Sequence, residues 1–181
     1  MAVLERIRKL FVPSDASAAR DDFEIVVPAP PTEYEIHALT SKRLDEICRL
    51  NLRCFKKGEN YNKQTVTYLL SEPNTLSYCV TTASNEMVAF VFATTNVDGT
   101  GHITTIGVAP EHRRRGLAQK LLVHAEAAMQ RRRISIIRLE VRVSNVAAQS
   151  LYRRFGYATV QRLENYYNNG EDGFLMVKSL F

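Results

Sequence analysis

Hydrophobic residues recur along the chain with two different periods, and these mark strands and helices from about residue 33 onward. Alternation and short apolar runs predict strands at Tyr34–Leu39, Leu76–Thr81, Met87–Thr95, His102–Val108, Ile134–Val143, Tyr157–Leu163 and Phe174–Lys178. Apolar residues spaced by three and four predict helices at Ser41–Leu52, Lys63–Leu70, Gly116–Met129 and Ala147–Phe155. The first helix is predicted to bury a face formed by Leu44, Ile47, Cys48 and Leu52.

The order of these elements indicates an α/β protein of the α+β type. Several neighbouring strands are joined by short turns, which favours antiparallel pairing, while helices cross over between others. We therefore expect a mixed, mostly antiparallel central sheet flanked by helices, and not a doubly wound parallel sheet. Residues 1–31, which contain a basic amphipathic stretch and then a proline-rich break, are predicted to be an N-terminal extension; residues 32–181 are predicted to form one domain.

The composition suits a single domain with a proper core. The chain has 181 residues, 45% of them hydrophobic, and a mean hydropathy of -0.20. No apolar run approaches the ~20 residues that a membrane span needs. The first residues also lack the apolar core and cleavage site of a secretory signal. We therefore expect a cytoplasmic location and no membrane span.

Charge and cysteine content narrow the classes of partner. A net charge of +5 and a pI of about 9.2 are compatible with acidic ligands, RNA or ribosomes, and equally with an ordinary solvated surface. We expect no stable nucleic-acid partner. The three cysteines, Cys48, Cys54 and Cys79, are scattered, which is typical of reduced thiols and not of a disulfide framework or a zinc site. No metal site is predicted.

A strand, an arginine-rich loop and a helix beginning at Gly116 together predict an anion-binding site. The start of a helix offers unpaired N–H groups and the positive end of the helix dipole, both of which bind phosphate. Gly116 permits a ligand to approach the backbone closely, and Ala118 is small for the same reason. The segment matches neither the P-loop nor the dinucleotide-binding fingerprint.

The spacing Arg113-x-x-Gly116-x-Ala118 on this strand–turn–helix unit resembles the pyrophosphate motif of the GNAT superfamily of N-acetyltransferases. The resemblance implies the GNAT fold and acetyl-CoA as cosubstrate. It also implies contacts to acetyl-CoA, largely through the backbone, from two segments beside Arg113: Ile106, Gly107 and Val108 on the strand, and Arg114, Arg115, Gly116, Leu117, Ala118 and Gln119 at the helix start.

Residues 139–157 resemble the matching segment of RimI-type ribosomal-protein-alanine acetyltransferases and related N-terminal acetyltransferases. Glu140 lies on the predicted strand, and Tyr152 lies about two turns into the next helix, which Ser144 or Asn145 caps. An α-amine with a pKa of ~8 must lose a proton before it attacks a thioester, and Glu140 is the candidate base. Tyr152 is the candidate proton donor to the departing CoA thiolate. The resemblance implies that Asn145 holds the pantetheine arm.

The residues expected to bind the acceptor amine resemble those of the catalytic subunit of NatA-type enzymes and their archaeal relatives. The resemblance rests on the loop Glu59-Asn60-Tyr61, on the strand start at His102, on the segment Arg113–Leu121 and on the run Tyr166-Tyr167-x-x-Gly170-Glu171-Asp172. It implies that Glu59 anchors the substrate ammonium and is a second candidate base, so that the choice between Glu59 and Glu140 stays open. It also implies that Tyr61, Tyr166 and Tyr167 contact the peptide. His102 and His112 are interpreted as structural or surface groups.

The leading hypothesis is acetyl transfer from acetyl-CoA to the α-amino group of a protein N-terminus, by direct attack in a ternary complex. Ribosomal proteins and small N-terminal residues are the favoured substrates. The alternative is a GNAT enzyme that acts on lysine ε-amines or on a small-molecule amine. A third hypothesis is a module that holds CoA as a regulatory ligand, against which the pair of Glu140 and Tyr152 argues. The sequence predicts no oligomeric state.

Overall fold

The computed structural model describes residues 26–55 and 60–181. Residues 1–25 of the predicted extension and the predicted site residue Glu59 therefore lie outside the described residues. The described part of the chain forms one sheet of seven strands in the order β1-β2-β3-β4-β5-β7-β6. All neighbouring strands are antiparallel except β4 and β5, which are parallel. This confirms the predicted mixed, mostly antiparallel sheet flanked by helices.

The observed elements lie close to the predicted ones. The strands are β1 Tyr34–Ala38, β2 Thr75–Thr82, β3 Met87–Thr95, β4 Thr100–Val108, β5 Ile136–Arg142, β6 Ala158–Leu163 and β7 Gly173–Ser179. The helices are α1 Leu44–Cys54, α2 Lys63–Ser71, α3 Leu117–Arg131 and α4 Val146–Arg154, and short 3-10 turns precede α1 and α3. β3 is buried along its whole length, and both α1 and α3 pack on it. Within the described ranges, no helix combines the length and apolar character that a membrane crossing requires.

The prediction for the buried face of α1 is wrong at Leu52. Ile47 is buried as predicted, but Leu52 is 62% exposed, whereas Leu50 and Asn51 are buried. The helix thus faces the sheet through positions 47, 50, 51 and 54. Because Asn51 is polar, the hydrophobic pattern of the sequence did not reveal this face. The side chain of Asn51 donates to the carbonyl of Tyr61 at 2.8 Å, which fixes the start of α2 relative to α1.

β4 begins earlier than predicted, because Gly101 belongs to the strand and not to the preceding turn. A Cβ atom at Gly101 would lie 2.6 Å from the sulfur of Met129, so the glycine allows α3 to pack closely on β4. Further along, the register of β3 and β4 shifts between Phe92 and Ala93, which leaves Thr104 as the extra residue of a bulge.

The two parallel strands are paired only at their starts. Residues Thr100–His102 of β4 pair with Ile136–Arg138 of β5. Beyond that point β4 continues on β3, while β5 pairs with β7 along its whole length. An opening therefore lies between the C-terminal halves of β4 and β5, and it leads towards the start of α3.

Candidate active site

The start of α3 has the geometry of an anion site. Gly116 is the N-cap residue, with φ of 75°, and it has no side chain that could cap the helix. The first intrahelical bond joins the N–H of Lys120 to the carbonyl of Gly116 at 3.0 Å, so the N–H groups of the first turn have no intrahelical partner. Arg114, two residues earlier, also lies in the left-handed region, with φ of 65°. Leu117, Ala118 and Gln119 thus present their backbone N–H groups to the loop.

The three arginines of the loop have three different environments. Arg113 donates to the carbonyls of Val108 and Cys54, at 3.2 and 3.1 Å, and so ties the loop to the ends of β4 and α1. Arg115 is bonded to the segment that precedes β1. Arg114 is exposed, and among the described residues its guanidinium has no bonded partner. Of the three, Arg114 is the cation that remains available to a ligand.

The predicted contact segment on β4 lies beside the opening between β4 and β5. Ile106 and Val108 are half-buried, and Gly107 is buried. A Cβ atom at Gly107 would lie 2.4 Å from the ring of Phe90 and 3.1 Å from the sulfur of Cys54. Close packing beneath the strand is therefore what requires a glycine at position 107.

Glu140 and His102 form a buried pair across the opening. Oε2 of Glu140 lies 2.6 Å from Nε2 of His102, and the two side chains are 13% and 4% exposed. Burial alone would raise the pKa of Glu140, but the hydrogen bond and charge of His102, together with Arg138, lower that pKa overall. Glu140 is thus an ionised acceptor at neutral pH. Thr104, the bulge residue, lies 3.3 Å from the other ring nitrogen of His102.

Tyr152 lies on α4, with its ring 5.7 Å from that of Tyr157 in an edge-to-face contact. Burial raises the pKa of Tyr152 to about 12, so its hydroxyl keeps its proton throughout the neutral range. Asn145 caps α4, because its side-chain oxygen accepts from the N–H of Ala148 at 3.1 Å. Capping occupies the amide oxygen of Asn145 and leaves the NH2 group of this exposed side chain as the group available to a ligand.

Tyr61, Tyr166 and Tyr167 form an aromatic cluster next to Glu140. The hydroxyl of Tyr61 donates to the carbonyl of Thr104 at 3.2 Å, and the rings of Tyr166 and Tyr167 meet edge to face at 5.1 Å. Burial raises the pKa of both Tyr61 and Tyr167, and the negative charge of Glu140 contributes to each rise. The carboxylate therefore interacts electrostatically with two members of the cluster.

Glu171 fixes the loop that carries Tyr166 and Tyr167 to the end of β5. Its carboxylate accepts from Arg142 at 2.7 Å and from the backbone N–H of Ser144 at 2.9 Å. The hydrogen bonds from Ser144, with the charge of Arg142, lower the pKa of Glu171 to about 2. The guanidinium of Arg142 also stacks over the ring of Tyr167, at 3.8 Å from its centroid.

Residues 44–157, from the start of α1 to the end of α4 and slightly beyond, match the model of the Acetyltransferase (GNAT) family. The chain belongs to the GNAT family. It is therefore an acetyl-CoA-dependent acyltransferase, as the sequence predicted.

Similar proteins include several N-terminal acetyltransferases. This GNAT chain is 37% identical over 136 residues to the catalytic subunit NAA10 of the N-terminal acetyltransferase A complex of Arabidopsis thaliana, an alignment that covers 72% of the chain and 69% of the relative. The ribosomal-protein-S18-alanine N-acetyltransferase from Escherichia coli has a similar structure, with a TM-score of 0.75, 25% identity, and coverage of 82% of this chain and 94% of that one. So has the NatC complex bound to Gag peptide and CoA, with a TM-score of 0.73, 25% identity, and coverage of 82% and 99%.

The residues at the start of α3 fit the pyrophosphate of acetyl-CoA, the cosubstrate of a GNAT enzyme. The left-handed Gly116, the N–H groups of the first turn and the exposed Arg114 together favour a bound anion. Within residues 26–55 and 60–181, no group of three or more His, Cys, Asp or Glu side chains is arranged to hold a metal ion.

Sequence reasoning missed two residues of this GNAT site. His102, interpreted as a structural or surface group, is buried, and its Nε2 lies 2.6 Å from Oε2 of Glu140. A parallel crossover from β4 to β5 was the signal that could have brought the two together. Glu171 was named only as a member of the Tyr-Tyr-x-x-Gly-Glu-Asp run and was given no role of its own, although that run was the available signal. His112 is structural, because it is buried and bonded to Tyr34.

Proposed function

We propose that this GNAT enzyme transfers the acetyl group of acetyl-CoA to the α-amino group of a protein N-terminus, with residues 32–181 as its catalytic domain. The observation that carries the proposal is the buried Glu140–His102 pair, which lies beside the aromatic cluster of Tyr61, Tyr166 and Tyr167. An ionised carboxylate next to aromatic walls suits an ammonium group attached to an extended peptide. The similarity to proteins named as N-terminal acetyltransferases supports the same substrate class.

The lowered pKa of Glu140 favours an α-amine over a lysine side chain as the acceptor. At pH 7, about a tenth of an α-amine with a pKa of ~8 is already deprotonated, against about one part in 2,500 of a lysine amine with a pKa of ~10.4. A weakly basic carboxylate that orients a water molecule or the neutral amine is therefore sufficient for acetylation of an α-amine. For lysine the same site would lose about 200-fold in reactive amine.

We assign separate roles to the two members of the pair. Glu140 attracts the ammonium group and receives its proton, directly or through a water molecule, and the proton passes on to solvent. His102 donates to Glu140 through Nε2, and the hydroxyl of Thr104 lies within hydrogen-bond distance of its Nδ1, an arrangement that fixes the orientation of the carboxylate. Glu140 is thus our candidate for the main base, and Glu59 is a second candidate, which lies outside the described residues.

Tyr152 is assigned to the leaving group. CoA leaves as a thiolate, whose pKa resembles that of a free thiol at roughly 8.5. Because the pKa of Tyr152 is about 12, its hydroxyl stays protonated and stabilises the developing thiolate as a hydrogen-bond donor. Asn145 and the backbone of β4 would hold the pantetheine arm, and the start of α3 would hold the pyrophosphate.

Direct attack of the amine in a ternary complex is the route we propose. An acyl-enzyme would need an activated nucleophile, and burial raises the pKa of Cys54, the cysteine beside Gly107, to about 12. Burial also raises the pKa of Cys48 and of Cys79. All three thiols therefore remain protonated, which disfavours thiolate catalysis.

We propose peptides that begin with Ala or Ser, including those of ribosomal proteins, as the preferred substrates. The test is a panel of free N-terminal peptides, matched peptides with a blocked N-terminus and one lysine, and small amines, each assayed for CoA release. Turnover of the free peptides, led by Ala and Ser, is the expected result. Turnover of lysine or small amines alone would overturn the proposal, and acetyl-CoA binding without any transfer would indicate a regulatory CoA-binding module.

A further inference from the structure

The segment that precedes β1 is hydrogen-bonded to the loop that leads into α3, residues 111–116, which we call the pyrophosphate loop. The N–H of Ala29 donates to the carbonyl of Glu111 at 3.0 Å. In the opposite direction, the guanidinium of Arg115 donates to the carbonyls of Ala29 and Pro30, the latter at 3.0 Å. Two consecutive carbonyls of the segment are thus held by one side chain of the loop.

Tyr34, at the start of β1, completes the set of partners of Arg115. Its hydroxyl accepts from Arg115 at 2.7 Å and lies 2.9 Å from Nδ1 of the buried His112. Because a guanidinium only donates, the proton of the Tyr34 hydroxyl is free to point at His112. A continuous chain of hydrogen bonds therefore runs from Ala29 and Pro30 through Arg115 and Tyr34 to His112.

Arg115 lies between two residues with left-handed backbone conformations. Arg114 has φ of 65° and Gly116 has φ of 75°. A left-handed conformation is unfavourable for a residue with a side chain, and Arg114 keeps it only where its surroundings hold it in place. The bonds of the neighbouring Arg115 side chain to Ala29, Pro30 and Tyr34 supply such an anchor.

We propose that Arg115 is a positioning residue, and that the segment Ala29–Pro30 serves as its anchor to hold the pyrophosphate loop in the shape that binds acetyl-CoA. The N-terminal segment is then a working part of the cosubstrate site. Arg115 acts through the backbone of Arg114 and Gly116, whereas Arg114 contacts the phosphates. The inference rests on acetyl-CoA binding at α3 and is independent of the acceptor amine.

Three variants of the full chain test this, by calorimetric titration with acetyl-CoA and by steady-state kinetics. Arg115→Ala removes the anchor, and Ala29→Pro removes the N–H that bonds Glu111 without altering any residue of the loop. Arg131→Ala is the matched control, since Arg131 is an exposed arginine at the far end of α3. We expect acetyl-CoA to bind roughly 10-fold more weakly to Arg115→Ala and a few-fold more weakly to Ala29→Pro, with the control unchanged, as fits the loss of charged and neutral hydrogen bonds respectively. The KM for acetyl-CoA should rise in parallel, with kcat and the peptide KM nearly constant.

Salt dependence separates positioning from direct phosphate contact. Salt weakens acetyl-CoA binding because it screens the attraction between exposed charges of the protein and the phosphates. A variant that loses a direct contact between a cation and a phosphate should therefore show a shallower fall of acetyl-CoA affinity with salt concentration. We expect Arg114→Ala to flatten it and Arg115→Ala to keep the wild-type slope. A flattened slope for Arg115→Ala, or wild-type binding by Ala29→Pro, would overturn the inference. Failure of the wild-type chain to bind acetyl-CoA would instead overturn the proposed function and the inference with it.

Discussion

Oε2 of Glu140 lies 2.6 Å from Nε2 of His102, and this contact joins β5 to β4 just past the point where their backbone pairing stops. The pair is therefore at the mouth of the opening between the two strands. It is buried enough for the charge of Glu140 to interact strongly with its neighbours, and it lies within electrostatic reach of Tyr61 and Tyr167.

Loss of this pair should affect turnover far more than cosubstrate binding. We expect Glu140→Gln to lower kcat by ~10²-fold, the range typical of a lost general base, because the amide keeps the shape but not the charge. Since His102 acts through Glu140, the double variant Glu140→Gln/His102→Gln should be hardly worse than Glu140→Gln alone. Initial rates with an Ala-starting peptide measure this. Multiplied losses in the double variant would show that the two residues act independently.

Tyr152→Phe should lower turnover by ~10²-fold or more, with little loss of acetyl-CoA affinity, because it removes a donor used only as the thiolate leaves. Tyr68→Phe, at a half-buried tyrosine of α2 that is not part of the site, is the matched control and should retain wild-type turnover. Rates are compared with acetyl-CoA affinities from calorimetry. Unchanged turnover in Tyr152→Phe would remove this residue from the mechanism.

Glu171→Gln should loosen the loop of Tyr166 and Tyr167 and raise the peptide KM by roughly 10-fold, as fits the loss of charge-assisted hydrogen bonds to Arg142 and Ser144. The acetyl-CoA KM should change little. The variant thus separates the peptide side of the site from the cosubstrate side, and equal rises in both KM values would contradict this role.

The pH dependence of stability offers a second measurement on the same residue. Because the pKa of Glu171 in the folded chain is about 2, below its unfolded value of ~4.3, its ionised form stabilises the fold fully at neutral pH. That contribution disappears as the pH falls from about 4 towards 2. The difference in Tm between wild type and Glu171→Gln should therefore be present at pH 7 and shrink below pH 4. If the difference in Tm grew as the pH fell, the proposed stabilisation by the ionised Glu171 would be contradicted.

Two glycines of β4 should differ in their tolerance of alanine. At Gly107 the new Cβ would meet the ring of Phe90 at 2.4 Å, and that ring is buried between strands and α1. At Gly101 it would meet the end of Met129, a flexible side chain that can move. We expect Gly107→Ala to lower the free energy of unfolding by about 1–3 kcal/mol and Gly101→Ala to lower it by less. Thermal unfolding checks the order, and a larger loss at Gly101 would contradict it.

Local signals in the sequence were sufficient for most elements and for part of the site. The helix start at Gly116 and the cap at Asn145 are set by residues within one turn, so the pattern around them predicts them. The contact between His102 and Glu140 spans 38 positions and depends on the register of a parallel pair, which local periodicity does not encode. The environments of Arg113, Arg114 and Arg115 differ because carbonyl groups far away in the sequence bind Arg113 and Arg115. Three consecutive arginines in a sequence do not reveal which of them will meet such a partner.

The short ladder between β4 and β5 has a consequence for the whole molecule. It makes the sheet two sub-sheets, with β1 to β4 on one side and β5, β7 and β6 on the other, hydrogen-bonded through three residues of each strand. Helix α3 follows the first sub-sheet, whereas Glu140, Tyr152 and the loop that carries Tyr166 and Tyr167 belong to the second. A pantetheine chain laid in the seam, with its two amides bonded to the strands, would complete the sheet as an inserted strand does, so that binding the donor would also brace the enzyme against shear.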